Sequence, residues 1–138
     1  MTGFFIDTNI LVYADDLDTP SKRHKAQQII ADALKNQTGI VSTQVIQEYY
    51  VIATQKLKIE KEIVQRKVEL FMALPLIRIT ETHILEAIKL HRLYPLSYWD
   101  ASVIYAAKSA SCSELLTEDM QAGRMIEGIR IVNPFAAN

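Results

Sequence analysis

The sequence predicts an α/β fold: a three-layer α/β/α sandwich around a central parallel sheet of about five strands. Three observations carry that expectation. Short apolar runs alternate with segments of helical periodicity along the chain. The runs are too apolar to leave a wet face, as in strands covered on both sides. Most residues just beyond the runs that carry chemistry are acids, and an open parallel sheet binds its ligands outside the carboxyl ends of its strands. The 138 residues suffice for one core and not two, so a single domain over 1–138 is expected.

The five strand candidates are residues 3–6, 39–41, 76–79, 114–116 and 129–132. Between the first two, Ala26, Ile29, Ile30, Ala33 and Leu34 recur at spacings of three and four after a Thr19-Pro20-Ser21 start, where proline suits the first helical position. A second helix is expected over about 43–57, and a third through Ile63, Val64, Val68 and Phe71. A fourth spans about 81–92 and should stop before Tyr94-Pro95, because the residue before proline is pushed out of helical geometry. The fifth runs from Tyr98 through Ala107. Residues 118–127 are too short and glycine-broken to hold more than a turn or two.

Composition excludes several classes. With 49% hydrophobic and 22% charged residues, the chain can offset its ordering entropy by burial, so intrinsic disorder is not expected. The longest apolar stretches, 10–14 and 71–77, fall far short of the roughly 20 residues that span a bilayer, so no membrane partner is expected. No basic leader precedes the first apolar run, and the single cysteine, Cys112, reads as packing, so a cytoplasmic protein is expected. Fifteen Lys and Arg against sixteen Asp and Glu give a net charge of −1, so a polyanion would have to be bound locally.

Four acids occupy the informative positions. Asp7 ends the first strand, Glu48 lies in the second turn of the helix after the second strand, Asp100 opens the fifth helix, and Asp119 follows the fourth strand. Right-handed connections bring all the strand ends to one edge, where these four can meet. Each also has a plain reading: Asp7 as a helix N-cap, Asp100 as a first-turn acid complementing the helix dipole, Asp119 as a turn residue, Glu48 as solvent-facing. Their joint placement favours function. Clustered carboxylates repel unless protonated or joined by a cation. A hard divalent ion such as Mg²⁺ takes one or two carboxylates, keeps waters and binds phosphate oxygens, which suits phosphodiester hydrolysis by an activated water.

The motifs Phe5-Ile-Asp-Thr-Asn9, Ser42-Thr-Gln-Val-Ile-Gln-Glu48, Tyr98-Trp-Asp-Ala101 and Leu115-Leu-Thr-Glu-Asp119, in that order, resemble those of the PIN-domain ribonucleases. More narrowly they resemble the VapC-type toxins of toxin–antitoxin pairs, along nearly the whole chain. The resemblance implies that Asp7, Glu48, Asp100 and Asp119 are the catalytic, metal-holding acids, with Asn9, Ser42 and Thr117 supporting them through hydrogen bonds. It places Asp119 rather than Glu118 on the family's fourth acid. It further implies Mg²⁺ or Mn²⁺ as cofactor, an RNA substrate, a homodimer, and a cognate antitoxin whose tail enters the groove. The RNA target is set outside these motifs.

Other features read more plainly. Lys22, Arg23 and Lys25, and Lys56, Lys58, Lys61, Arg66 and Lys67, are basic concentrations that could hold RNA phosphates, though mixed-charge faces of this kind are usually solvated helix surface. Tyr98 and Trp99 could stack on a base, but at a helix start beside a sheet packing is the expectation. Asp15, Asp16 and Asp18 lack the glycine of a calcium loop and read as a solvated acidic loop. His83 and His91 are poorly spaced for zinc, and no glycine-rich phosphate loop is present. Asn9 stands where an aspartyl-phosphate phosphatase would need a second acid, disfavouring covalent phosphoryl transfer. A non-catalytic RNA- or protein-binding domain, or a housekeeping nuclease without antitoxin, are the alternatives.

Overall fold

The computed structural model describes residues 3–136. Its elements run β1 (Phe4–Ile6), α1 (Thr8–Tyr13), α2 (Pro20–Asn36), β2 (Gly39–Ser42), α3 (Thr43–Gln55), α4 (Lys61–Phe71), β3 (Leu76–Ile77), α5 (Glu81–Leu93), α6 (Tyr98–Ser109), β4 (Glu114–Leu116), β5 (Met125–Ile126) and β6 (Ile129–Val132). The sheet order is β3-β2-β1-β4-β6-β5. Every pair is parallel except β5 with β6. Successive strand residues point to opposite faces, and Phe5 and Ile6 are both fully buried, as is Leu115 beside a buried Leu116. Helices therefore cover both faces, the three-layer arrangement expected.

Local chemistry sets the helix starts. Pro20 opens α2, and the hydroxyls of Ser42, Thr80 and Ser97 accept from the backbone N–H groups of Val45, His83 and Asp100 to cap α3, α5 and α6. Helix α5 ends at Tyr94, whose backbone is extended ahead of Pro95. Gly39 allows α2 to lie close on β2, since a Cβ there would stand 2.7 Å from the Ala33 Cβ and 2.8 Å from the Ile6 Cδ1.

The structure refines the expectation. The sheet has six strands where about five were expected, and the end of 118–127 forms the additional strand β5, paired antiparallel with β6. The two strands are joined by Glu127 and Gly128, both at positive φ (53° and 81°), the backbone of a tight two-residue hairpin. Glutamate is an unusual first residue there. It is held by Tyr94, whose hydroxyl donates at 2.6 Å, and by Lys108 at 2.8 Å. The third strand stops at Ile77 rather than 79. The acidic stretch is not wholly solvated either: the Asp15 carboxylate accepts from Tyr49 and pairs with Lys67, pinning the end of α1 to α3 and α4.

Candidate active site

From β1 the chain steps outward to β2 and β3, then returns to the other side of β1 with β4. That reversal leaves a crevice beyond the carboxyl ends of β1 and β4. Asp7 sits in it. Its N–H donates to the Leu116 carbonyl at 3.1 Å, so the residue is fixed by the sheet itself. Its side chain is buried and accepts from the Thr8 N–H at 2.7 Å, the Thr117 hydroxyl at 2.9 Å and the Asn9 amide at 3.5 Å. The N-cap reading of Asp7 is therefore true as well: the bond to Thr8 starts α1 and aims the carboxylate.

Asn9 joins the two strand ends. Its amide also donates to Thr117 Oγ1 at 3.0 Å and to Asp119 Oδ2 at 3.1 Å, while its Oδ1 accepts from the Glu118 N–H at 3.1 Å. Asp119 is thereby held on the Asp7 side. Glu118 also lines the cavity, but its carboxylate accepts from Tyr13 and pairs with Lys22, whose ammonium lies over the Tyr13 ring. The two neighbouring acids thus have different partners.

Glu48 projects from α3, exposed, its Oε1 accepting from the Thr8 hydroxyl at 3.3 Å and the Gln44 amide at 3.1 Å. Behind Gln44 lies a chain of polar groups. Ser102 Oγ donates to Gln44 Oε1 at 2.7 Å, and His83 Nε2 lies 3.0 Å from that hydroxyl and 3.1 Å from the Ser102 carbonyl. A carbonyl can only accept, so Nε2 carries the hydrogen. Burial holds His83 below its usual pKa, keeping the ring neutral. Asp100 lies in the first turn of α6, half-buried, its N–H capped by Ser97.

Asp7, Glu48, Asp100 and Asp119 line one cavity of about 360 Å³. Burial is the main cause that pushes Asp7 up to about 6; the hydrogen bonds from Thr8 and Thr117 oppose it, and the charges of Asp119 and Glu48 add to it. Asp100 is raised by burial, with Asp119 adding to the shift. Among the described residues, none of the four is ion-paired to a basic side chain. Nor do three or more of them close into a ready-made cage around one point. The donors are all oxygens, and an open set of carboxylates fits a hard divalent cation that keeps several waters and takes only one or two carboxylates directly.

Of the supporting residues, Asn9 and Thr117 lie within the acid cluster. Ser42 does not: it caps α3 and bears on the site through the helix that carries Glu48. Sequence reasoning missed Thr8, Gln44, Ser97 and Asp16, the last an acid that lines the cavity along with Glu118 and the four expected acids. Gln44 precedes Glu48 by four residues, one turn on the same face, and Ser97-x-x-Asp100 is a capping pattern, so both left a signal. Lys56, read as part of a solvated basic stretch, is among the described residues the only cationic side chain on the cavity wall. The packing expectation for the aromatic pair divides: Tyr98 is half-buried against His91 and Trp99, whereas Trp99 is 63% exposed.

An acid-lined crevice at the switch point of a mainly parallel sheet defines a class of α/β site that gathers oxygen ligands around a cation. The family model of the PIN domain matches residues 4–126, and the chain belongs to that family. Among solved structures, a toxin–antitoxin complex from Klebsiella pneumoniae is similar at 26% identity and a TM-score of 0.67, over 99% of this chain and 100% of that one. The sarcin–ricin-loop-cleaving toxin VapC20 of Mycobacterium tuberculosis shares the fold at 14% identity and a TM-score of 0.66, over 82% and 87% of the two chains. VapBC2 from Rickettsia felis, bound to a DNA fragment from its promoter, does so at 21% identity and 0.60, over 93% and 96%. Comparison with curated proteins returns no match.

Proposed function

We propose that the protein is a metal-dependent endoribonuclease acting as the toxin of a toxin–antitoxin pair. The observation that carries this is the convergence of Asp7, Glu48, Asp100 and Asp119 on one cavity at the switch point of a PIN fold. Support comes from the similarity over its full length to a chain from a toxin–antitoxin complex, and from the shared fold with a toxin that cleaves the sarcin–ricin loop.

The residues divide the work. Asp7, buried and held by three donors, would bind the divalent cation, Mg²⁺ or Mn²⁺, directly; Asp100 and Asp119 would help to hold it, and Glu48, exposed on α3, would orient a water for attack. Asn9 and Thr117 keep Asp7 and Asp119 in register. Lys56, at the end of α3 and on the cavity lining, would meet the substrate's phosphate charge. The cation would acidify a water and neutralise charge developing at the phosphate and leaving oxygen.

Partners follow from the same reading. A cognate antitoxin would present Arg or Lys to the acid cavity and set apolar residues on the recess of about 400 Å³ between α3 and α4, where Val51 lies exposed beside Tyr50 and Met72. A homodimer working in the cytoplasm is part of the proposal. Among the described residues no helix is long and apolar enough to cross a membrane.

The test is cleavage of a mixed RNA pool by the purified protein with Mg²⁺ or Mn²⁺ and with EDTA. Discrete cuts with metal and none with EDTA are expected. Binding without cleavage under all conditions would overturn the enzymatic reading and leave a binding domain. Cutting by a protein that is harmless when expressed alone, with no small partner encoded beside it, would leave a housekeeping nuclease.

A further inference from the structure

Large aromatic rings are normally buried, and a tryptophan left 63% exposed in the first turn of a helix that carries a site acid calls for an occupant. The Trp99 ring stands on the ridge between two cavities. One is the acid cavity; the other, of about 450 Å³, shares Gln44, Glu48 and Trp99 with it and continues past the apolar walls of Ile79 and Ile84 to the Gln47 amide. Tyr98 meets the Trp99 ring edge-on, with centroids 5.1 Å apart and planes at 76°, which braces the indole. Trp99 lines both cavities, while its neighbour Asp100 lines only the acid cavity.

We propose that Trp99 is a stacking platform for the base of a nucleotide flanking the scissile phosphate, and that the second cavity is its base subsite. This rests on the RNA-cleaving reading above. In a nucleotide a single sugar joins base and phosphate, and here one backbone step joins the base platform to a phosphate-site acid. The pocket's chemistry suits a base: apolar walls at Ile79 and Ile84 beside the indole, with the Gln44 amide, which bridges Ser102 and Glu48, and the Gln47 amide, which donates to the Thr43 carbonyl, as polar groups of its lining. Stacking accepts any base because every base has a π-face.

Trp99 is the chain's single tryptophan, so its emission reports on this position alone. A short single-stranded 2′-O-methyl RNA of mixed sequence should quench that emission saturably in the wild-type protein. Trp99→Ala should lower kcat/KM on a cleaved RNA by about tenfold or more, and Trp99→Tyr should keep most of it, while Trp99→Leu behaves like Ala. An abasic nucleotide beside the cut should cost the wild type as much as Trp99→Ala does and cost that variant nothing further. Stabilisation by Mg²⁺ alone should be equal in all four proteins. Wild-type cleavage with emission indifferent to the oligonucleotide, or unaffected by Trp99→Ala, would overturn the subsite and spare the nuclease. Absence of cleavage in the wild type would instead overturn the nuclease reading. Emission that follows protein concentration without nucleic acid would assign the ring to contact with a second copy and also overturn the subsite.

Discussion

Asp7 and Asp100 differ from ordinary surface acids in being raised by burial and crowded by other carboxylates, with no cation beside them. Asp7→Asn and Asp100→Asn should each lower RNA cleavage by at least about a hundredfold, because each removes a charge that holds the cation. Circular dichroism should show both folds intact. The metal-free proteins add a pH signature. An aspartate raised to about 6 in the fold and titrating near 3.9 when unfolded contributes stability that is full below about 3.9 and lost as pH rises through about 6. Melting temperatures should show Asp7→Asn gaining on wild type across that window, by up to about 3 kcal/mol. Glu118 and Asp119 supply a contrast between adjacent residues. Asp119→Asn should impair cleavage, whereas Glu118→Gln should leave it nearly intact and loosen only the partly exposed contact with Lys22 and Tyr13. Equal losses of cleavage would place both acids in the site.

At the scale of elements, five of the helices (α2 to α6) and five of the strands were legible because their signals are local: apolar spacing, Pro20 at a helix start, Tyr94-Pro95 at an end. Strand β5 left no such signal. It is two residues long, and its hairpin uses Glu127-Gly128 in place of the asparagine-glycine that marks such turns, the strain at Glu127 being met by Tyr94 and Lys108 from distant elements. The four acids were legible because each falls at or just beyond the end of a strand, or in the next helix, within an ordered set of motifs. Asp16, Lys56 and the exposure of Trp99 were not, since only tertiary packing decides which wall a loop or helix-surface residue joins. Gly39 shows a close approach that sequence marks only as a glycine. Gly39→Ala should destabilise the fold by about 1–3 kcal/mol through overpacking against Ala33 and Ile6, read as a lower midpoint in urea. An unchanged midpoint would mean that α2 shifts freely on β2.

At the scale of the whole molecule, a net charge of −1 gives no general attraction for RNA, and the acid cavity repels it. Binding must then depend on the cation and on few basic contacts, with Lys56 the nearest. On the proposed reading, four carboxylates from distant parts of the chain surround one divalent cation, which one or two of them bind directly. Thermal melts of wild type and Asp100→Asn, each with and without Mg²⁺, test it directly and need no knowledge of the RNA target. Without metal, Asp100→Asn should melt at the wild-type temperature or above it, since the change removes a crowded charge and keeps the side chain's shape. At about ten times its Kd, Mg²⁺ should stabilise wild type by roughly 1.4 kcal/mol, a few degrees for a domain of this size, and the variant by less. A metal-free variant less stable than wild type, with an undiminished Mg²⁺ response, would make Asp100 a helix-dipole residue and contradict the shared site.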